Sequence, residues 1–376
     1  MRFSRIKAAI LALVAFAVLV TGVAAISSAK SGNGGGDHAH GRSHKPPLDH
    51  IFVITLENHS RDGVIGDPSA PFITSLARQY GEATRFYGVT HPSEPNYIAQ
   101  IAGDTFGISE DSDVRLQSQN LVDQLESHGL SWGAYMESMP SAGFLGEGWP
   151  EGEEELYVAK HNPFVLFKDI RNNPDRLAHI KPFDGLAADL DTRSAPNFVY
   201  IVPNQCHNMH GGIYEEIAAD GSDGTPCPYN EEIGDEIDAE LKQKADDFVR
   251  STVKTIMSSK AWHGSPSAIF IVADESDFDG NPDTAGWADT SGCCDSPVIP
   301  AGELPEAPNW PGGTYGGGLS PAVVVTTTGP RHIVSNTPYN HYSLLTTIED
   351  NWNLGHLGHA GDTPNGVLPM NDLIGR

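Results

Sequence analysis

Cysteine is scarce in this chain. Four of its 376 residues are cysteines (Cys206, Cys227, Cys293 and Cys294), and no CxxC pair occurs, which leaves a thiolate zinc site without support. Three pairings are open. Cys206–Cys227 is preferred because it closes a polar loop rich in Gly, Asp and Pro, whereas adjacent cysteines pair with each other only under strain. Basic residues are also few: 23 Lys and Arg stand against 49 Asp and Glu, a net charge of −26. Such a surface repels DNA, RNA and anionic lipid, so nucleic-acid partners are not expected. Long apolar runs are nearly absent. The exception is Ala8–Val20, preceded by Arg2, Arg5 and Lys7 and followed by small residues to Ala25 and Ala29. That pattern reads as an export signal over 1–29, with an uncleaved signal anchor as the alternative. Residues 30–47, Gly-rich and then His-rich, read as a flexible linker. The expected location is secreted or extracytoplasmic, with no stable membrane partner once the signal is removed.

What remains, residues 48–376, alternates short apolar runs with amphipathic stretches and reads as one α/β domain. Strands are expected at His50–Leu56, Ser131–Tyr135, Asn197–Val202, Ser267–Ala273 and Pro321–Thr327. Helices are expected at Pro71–Tyr80, Ser93–Ile101, Ser118–His128, Glu236–Ser258 and Tyr342–Trp352. Segments 143–155, 211–232 and 285–318 read as surface loops.

Two of these strands end alike. His50–Leu56 empties into Glu57-Asn58-His59, and Ser267–Ala273 empties into Asp274-Glu275. Open α/β sheets build their sites at the carboxyl ends of strands, and two adjacent pairs of oxygen ligands point to a hard cation between them. Asp277-x-Asp279-Gly280-Asn281-x-Asp283 imitates half a calcium loop. Pro282 and Ala288 stand where such a loop needs Gly and Glu, so an Asp/Gly turn is preferred.

In Thr90-His91-Pro92-Ser93-Glu94-Pro95-Asn96-Tyr97, two prolines hold a turn around Ser93 at a helix start. An ordinary N-cap serine is one reading. A hydroxyl activated beside a metal, at the positive end of a helix, is the other. His161 (in His161-Asn162-Pro163), His210 (after the strand Asn197–Val202) and His341 lie at further element boundaries. Against the acidic background, binding a phosphate requires local positive charge, which a metal and histidines supply.

Taken in order, Glu57-Asn58-His59-Ser60, Thr90–Tyr97, His161-Asn162-Pro163, Pro203-Asn204 with Asn208-Met209-His210, Asp274-Glu275, and His341 with Thr347–Asp350 resemble one family. It is the phosphoesterase family of acid phosphatases and bacterial phospholipases C, itself similar to the alkaline phosphatase superfamily. The resemblance implies a three-layer αβα sandwich with a mostly parallel sheet. It implies one divalent metal, of unspecified identity, held by Glu57, Asn58, Asp274 and Glu275. It also implies Ser93 as nucleophile through a phosphoserine, Asn58 as a phosphate contact, and His161 and His210 on phosphoryl oxygens or the leaving group. His91 and His341 come behind these. The sequence departs from the family where Ser276 interrupts the acidic run after Asp274-Glu275.

The expected function is an exported metal-dependent phosphomonoesterase of acid phosphatase type, acting on small phosphorylated substrates. A phospholipase C or phosphodiesterase is the alternative. Phospholipases of the family tend to be longer, and a chain ending soon after its last helix fits the phosphatase branch. A non-catalytic phosphate- or metal-binding protein on the same scaffold is a third reading, disfavoured by the intact Ser93 and ligand pairs.

Overall fold

The computed structural model describes residues 47–112, 114–151, 155–211, 235–277, 288–304 and 310–376. The expected signal segment, nearly all of the linker, the calcium-like turn beyond Asp277, most of the 211–232 loop and Cys227 lie outside the described residues. All described elements belong to the unit His44–Arg376. Among them, no helix is long and apolar enough to cross a membrane.

Eight strands form one sheet: β1 (His50–Leu56), β2 (Gly81–Ala83), β3 (Trp132–Met136), β4 (Ile180–Pro182), β5 (Phe198–Val202), β6 (Ser267–Ala273), β7 (Ala322–Thr326) and β8 (Ile333–Ser335). Their order across the sheet is β8-β2-β7-β6-β1-β5-β3-β4. Every pairing is parallel except the two made by β7. The central strands are buried on both faces, which is why they read as unbroken apolar runs.

Alternate residues of β1 serve opposite layers. Ile51 and Val53 pack with residues of α2 (Ser93–Ala102), α3 (Leu121–Ser127) and α5 (His341–Trp352). Phe52, Ile54 and Leu56 pack with α1 (Pro71–Gln79) and α4 (Asp235–Ser258). The result is the three-layer α/β sandwich that the motifs implied. Helix α1 starts at Pro71, as expected, but its own N-cap, Ala70, makes no side-chain bond. Asp246 of α4 takes the Phe72 and Ile73 N–H groups instead, at 3.1 and 2.8 Å, tying the two helices of this layer together.

The expected boundaries shift by up to three residues, and three short strands (β2, β4 and β8) have no counterpart in the sequence reading. The segments read as loops at 143–155 and 285–318 contain small β pairs, such as Val298–Ile299 with Gly313–Thr314. Cys293 and Cys294 form a disulfide with each other. Cys206 is also disulfide-bonded.

Glu349 on α5 gives the fold a pH dependence. The residue is fully buried, and its Oε1 accepts the Leu357 N–H at 2.9 Å. Burial pushes its pKa up from 4.5 to about 8 against the opposing pull of hydrogen bonds from Gln124 and Leu357. Between these values the folded chain holds a proton that the unfolded chain has lost, so stability falls as pH rises across that window. The loss reaches roughly 5 kcal/mol at most, by 1.36 kcal/mol per pKa unit. Glu349→Gln keeps the acceptor and removes the charge. Urea unfolding should show the variant gaining over wild type at pH 8 and matching it near pH 4.5; an equal gain at both would refute this.

Candidate functional site

Register explains why two distant acidic pairs meet. β1 and β6 are parallel neighbours with Leu56 opposite Ala273, so Glu57 and Asp274 leave the sheet side by side. β5 flanks β1 on the other side, and its following loop carries His210 to the same edge. Backbone bonds fasten the tips: Asp274 N–H to Leu56 O (3.0 Å), His59 N–H to Glu275 O (3.2 Å) and Glu57 N–H to Asn208 O (2.8 Å). Asn58 sits at φ 44°, a left-handed turn that Asn tolerates. Its N–H, 3.1 Å away, and that of Glu275, 2.6 Å away, both donate to Asp274 Oδ1.

Ser93 is the first residue inside α2, and the N-cap is Pro92, which makes no side-chain bond. The N-cap reading of Ser93 is thereby corrected, since its hydroxyl does not cap the helix. Ser93 Oγ instead lies 2.7 Å from Glu57 Oε1 and 2.9 Å from Glu275 Oε1, one acid from each strand tip. The turn before it is braced by Asn96, whose Oδ1 takes the Val89 N–H at 2.8 Å and whose Nδ2 donates to Thr90 O at 2.7 Å.

The histidines converge on the same acids. His161 Nε2 is 2.8 Å from Glu57 Oε1, and His210 Nε2 is 3.9 Å from Glu57 Oε2. His161 is fully buried and stacks on Tyr97, ring centroids 4.8 Å apart; His210 retains some exposure. His91 Nδ1 lies 2.5 Å from Glu275 Oε2, and His341 Nε2 lies 2.6 Å from the Asp274 carbonyl. Burial depresses His91 and His341 to about 4, and depresses His161 despite the opposing charge of Glu57.

Three fully buried carboxyls share this space. Burial, then the charges of Glu57 and Glu275, push Asp274 well above the carboxylate range. Burial raises Glu275 too, against the hydrogen bond from Ser93. Burial also acts on Glu57, but the charges of His161 and His210 overcome it and hold that group low. Asn58 Oδ1, Asp274 Oδ2 and Glu57 Oε2 are buried acceptors with no hydrogen-bond partner among the described residues. Orphaned hard oxygens beside mutually repelling carboxyls fit a divalent cation. Among the described residues, no three His, Cys, Asp or Glu side chains already stand in ligand geometry around one point. The fit therefore rests on the chemistry of the donor set, which includes an amide oxygen.

The residues that the resemblance assigned to metal, nucleophile and phosphate contacts lie at this edge. Glu57, Ser93, His161, His210 and Glu275 are joined by side-chain contacts, and Asn58 and Asp274 by backbone-to-side-chain bonds. His207, on the same loop as His210, contacts Glu137 instead, at 2.9 Å. Three neighbours were not singled out: Tyr97 behind His161, Gln205 beside His210 Nδ1 (3.3 Å) and Lys160. Tyr97 alone had a local signal, four residues after Ser93 on one helix face.

A Kluyveromyces lactis protein described as a probable acid phosphatase is 30% identical over 318 residues, 83% of this chain and 60% of that one. An Aspergillus fumigatus acid phosphatase is 36% identical over 164 residues, 43% of this chain and 36% of its own. The chain thus spans less than two thirds of either relative. A Mycobacterium tuberculosis phosphatidylinositol-3-phosphatase is 32% identical over 169 residues, 44% of this chain and 53% of that one. In fold, the chain resembles the phosphonate monoester hydrolase of Agrobacterium radiobacter. The TM-score is 0.51 at 13% identity, covering 88% of this chain and 77% of the other. The phosphoesterase family profile matches residues 67–222 and 235–355, and the chain belongs to that family.

Proposed function

We propose that this protein is an exported, divalent-metal-dependent phosphomonoesterase of acid phosphatase type, with Ser93 as nucleophile. The observation that carries the reading is Ser93 Oγ standing between Glu57 and Glu275, at 2.7 and 2.9 Å. One hydroxyl proton facing two carboxyl acceptors has a line of departure already set. Glu57, Asn58, Asp274 and Glu275 would hold the metal, which supplies charge neutralisation for the phosphoryl group and lowers the hydroxyl's pKa.

The chain's own groups do the rest. Ser93 Oγ loses its proton towards the flanking carboxyls and bonds to phosphorus, while the phosphorus–oxygen bond to the alcohol breaks. Buried His161 and the amide of Asn58 face the phosphoryl oxygens. His210, the more open of the two histidines, gives a proton to the leaving alkoxide. Water then cleaves the phosphoserine, releasing phosphate and restoring the hydroxyl. Export is supported by the apolar segment after Arg2, Arg5 and Lys7, and the acid phosphatase type by the named relatives.

A substrate panel tests monoester against diester preference. Purified protein with added divalent metal should cleave p-nitrophenyl phosphate at least about tenfold faster, by kcat/KM, than the bis-ester, a difference of about 1.4 kcal/mol. A faster rate on the diester transfers the protein to the phosphodiesterase reading.

A further inference from the structure

A cavity of about 250 Å3 lies near this site, lined among others by Glu94, Asp111, Arg115, Glu155, Lys160 and Arg171. Two of its residues are chain neighbours of the proposed catalytic groups: Glu94 follows Ser93, and Lys160 precedes His161. Asp111 joins them, its Oδ2 2.6 Å from Lys160 Nζ and its Oδ1 accepting the Glu94 N–H at 3.1 Å. Lys160 also interacts with the charges of Glu57 and Glu275, so its ammonium lies within electrostatic reach of the reacting centre. Through Glu94 and Lys160 the cavity borders the chain segments that carry Ser93 and His161.

The lining mixes both signs of charge, with one more acid than base. Arg115, Lys160 and Arg171 bring donors, and Glu94, Asp111, Glu147 and Glu155 bring acceptors. An anionic leaving group would meet four acids and a cationic one three bases, so either meets like charge. A hydroxyl both donates and accepts, so a ring bearing several hydroxyls satisfies both kinds. Among the described residues Arg171 pairs with no carboxylate, and its hydrogen bond goes to the Leu145 carbonyl at 3.4 Å, which leaves donors for a ligand. Glu155, raised by burial and by neighbouring Glu147, is a carboxyl that a ligand hydroxyl would satisfy. Val158, Val165 and Leu166 add an apolar flank for the carbon face of a ring.

We propose that this cavity is a leaving-group subsite for a polyhydroxylated ring, making sugar or cyclitol monophosphates the preferred substrate class. The assignment rests on the phosphomonoesterase reading for its meaning, but its test does not depend on turnover. Ser93→Ala protein, full-length and supplied with divalent metal, is titrated calorimetrically with hexose 6-phosphate and with cyclohexylmethyl phosphate. The two esters match in charge and ring size and differ in hydroxyls.

The hexose ester should bind at least about tenfold more tightly, as expected for one or more hydrogen bonds to charged groups. Adding Arg171→Met should collapse that ratio towards one, with the thermal transition confirming that the protein remains folded. Arg115→Met serves if the first variant does not fold. Equal affinity for the two esters, binding of neither, or a preference untouched by these substitutions would overturn the subsite. A hexose preference in binding, with no hydrolysis of either ester by wild type, would keep the subsite and reject the hydrolase.

Discussion

Ser93→Ala is expected to lose turnover of phosphate monoesters by on the order of a thousandfold or more while remaining folded. The change deletes one oxygen, whose contacts are with Glu57 and Glu275, and no helix cap depends on it. Folding should therefore survive, and a loss of rate is not a loss of structure. The covalent step supplies a second readout. Wild-type protein quenched during turnover should carry phosphate on the peptide containing Ser93, and Ser93→Ala should carry none. Wild-type rates in the variant would remove the nucleophile assignment. A lost rate without a phosphopeptide in wild type would instead point to direct attack by water, with Ser93 only ordering the site.

Much of this site was legible because β1 and β6 are buried on both faces and so appear as unbroken apolar runs that stop abruptly at charged residues. The layer order follows from the same runs and from the amphipathic helices between them. What stayed hidden depends on distances that no local pattern encodes. Whether Ser93 caps α2 or stands inside it is a matter of one residue, and only the placement of Pro92 as N-cap decides it. Strands of three residues, such as Gly81–Ala83 and Ile180–Pro182, are too short to show alternation. The cavity near the site draws on Asp111, Lys160 in the 3-10 helix Ala159–His161 and Arg171 at the end of the helix Lys168–Arg171, which share no spacing. The Cys293–Cys294 bond is likewise set by the fold of its loop: Asn340 Nδ2 donates to both cysteine carbonyls, at 3.2 and 3.0 Å.

Asp274→Asn is expected to abolish activity and to uncouple stability from metal, and the two effects have one cause. Glu57, Asp274 and Glu275 are buried together, and repulsion by the other two helps push Asp274 above the carboxylate range. Without a cation this trio opposes folding; with one, the same charges become ligands. The right divalent ion should therefore stabilise wild type by about 2.7 kcal/mol at a hundredfold excess over Kd and raise its unfolding temperature. Asn preserves Oδ1, the acceptor for the Asn58 and Glu275 N–H groups, and so keeps the tip of β6 in place. It removes one negative charge from the trio. The chelated variant should be at least as stable as chelated wild type, and metal should no longer raise its unfolding temperature appreciably. Thermal scans with magnesium, calcium, manganese and zinc, paired with elemental analysis, read this directly. If Asp274→Asn retains both its metal content and the thermal shift, the cation is held elsewhere. If no ion shifts wild type, the three carboxyls are balanced by protons and the neighbouring histidines alone.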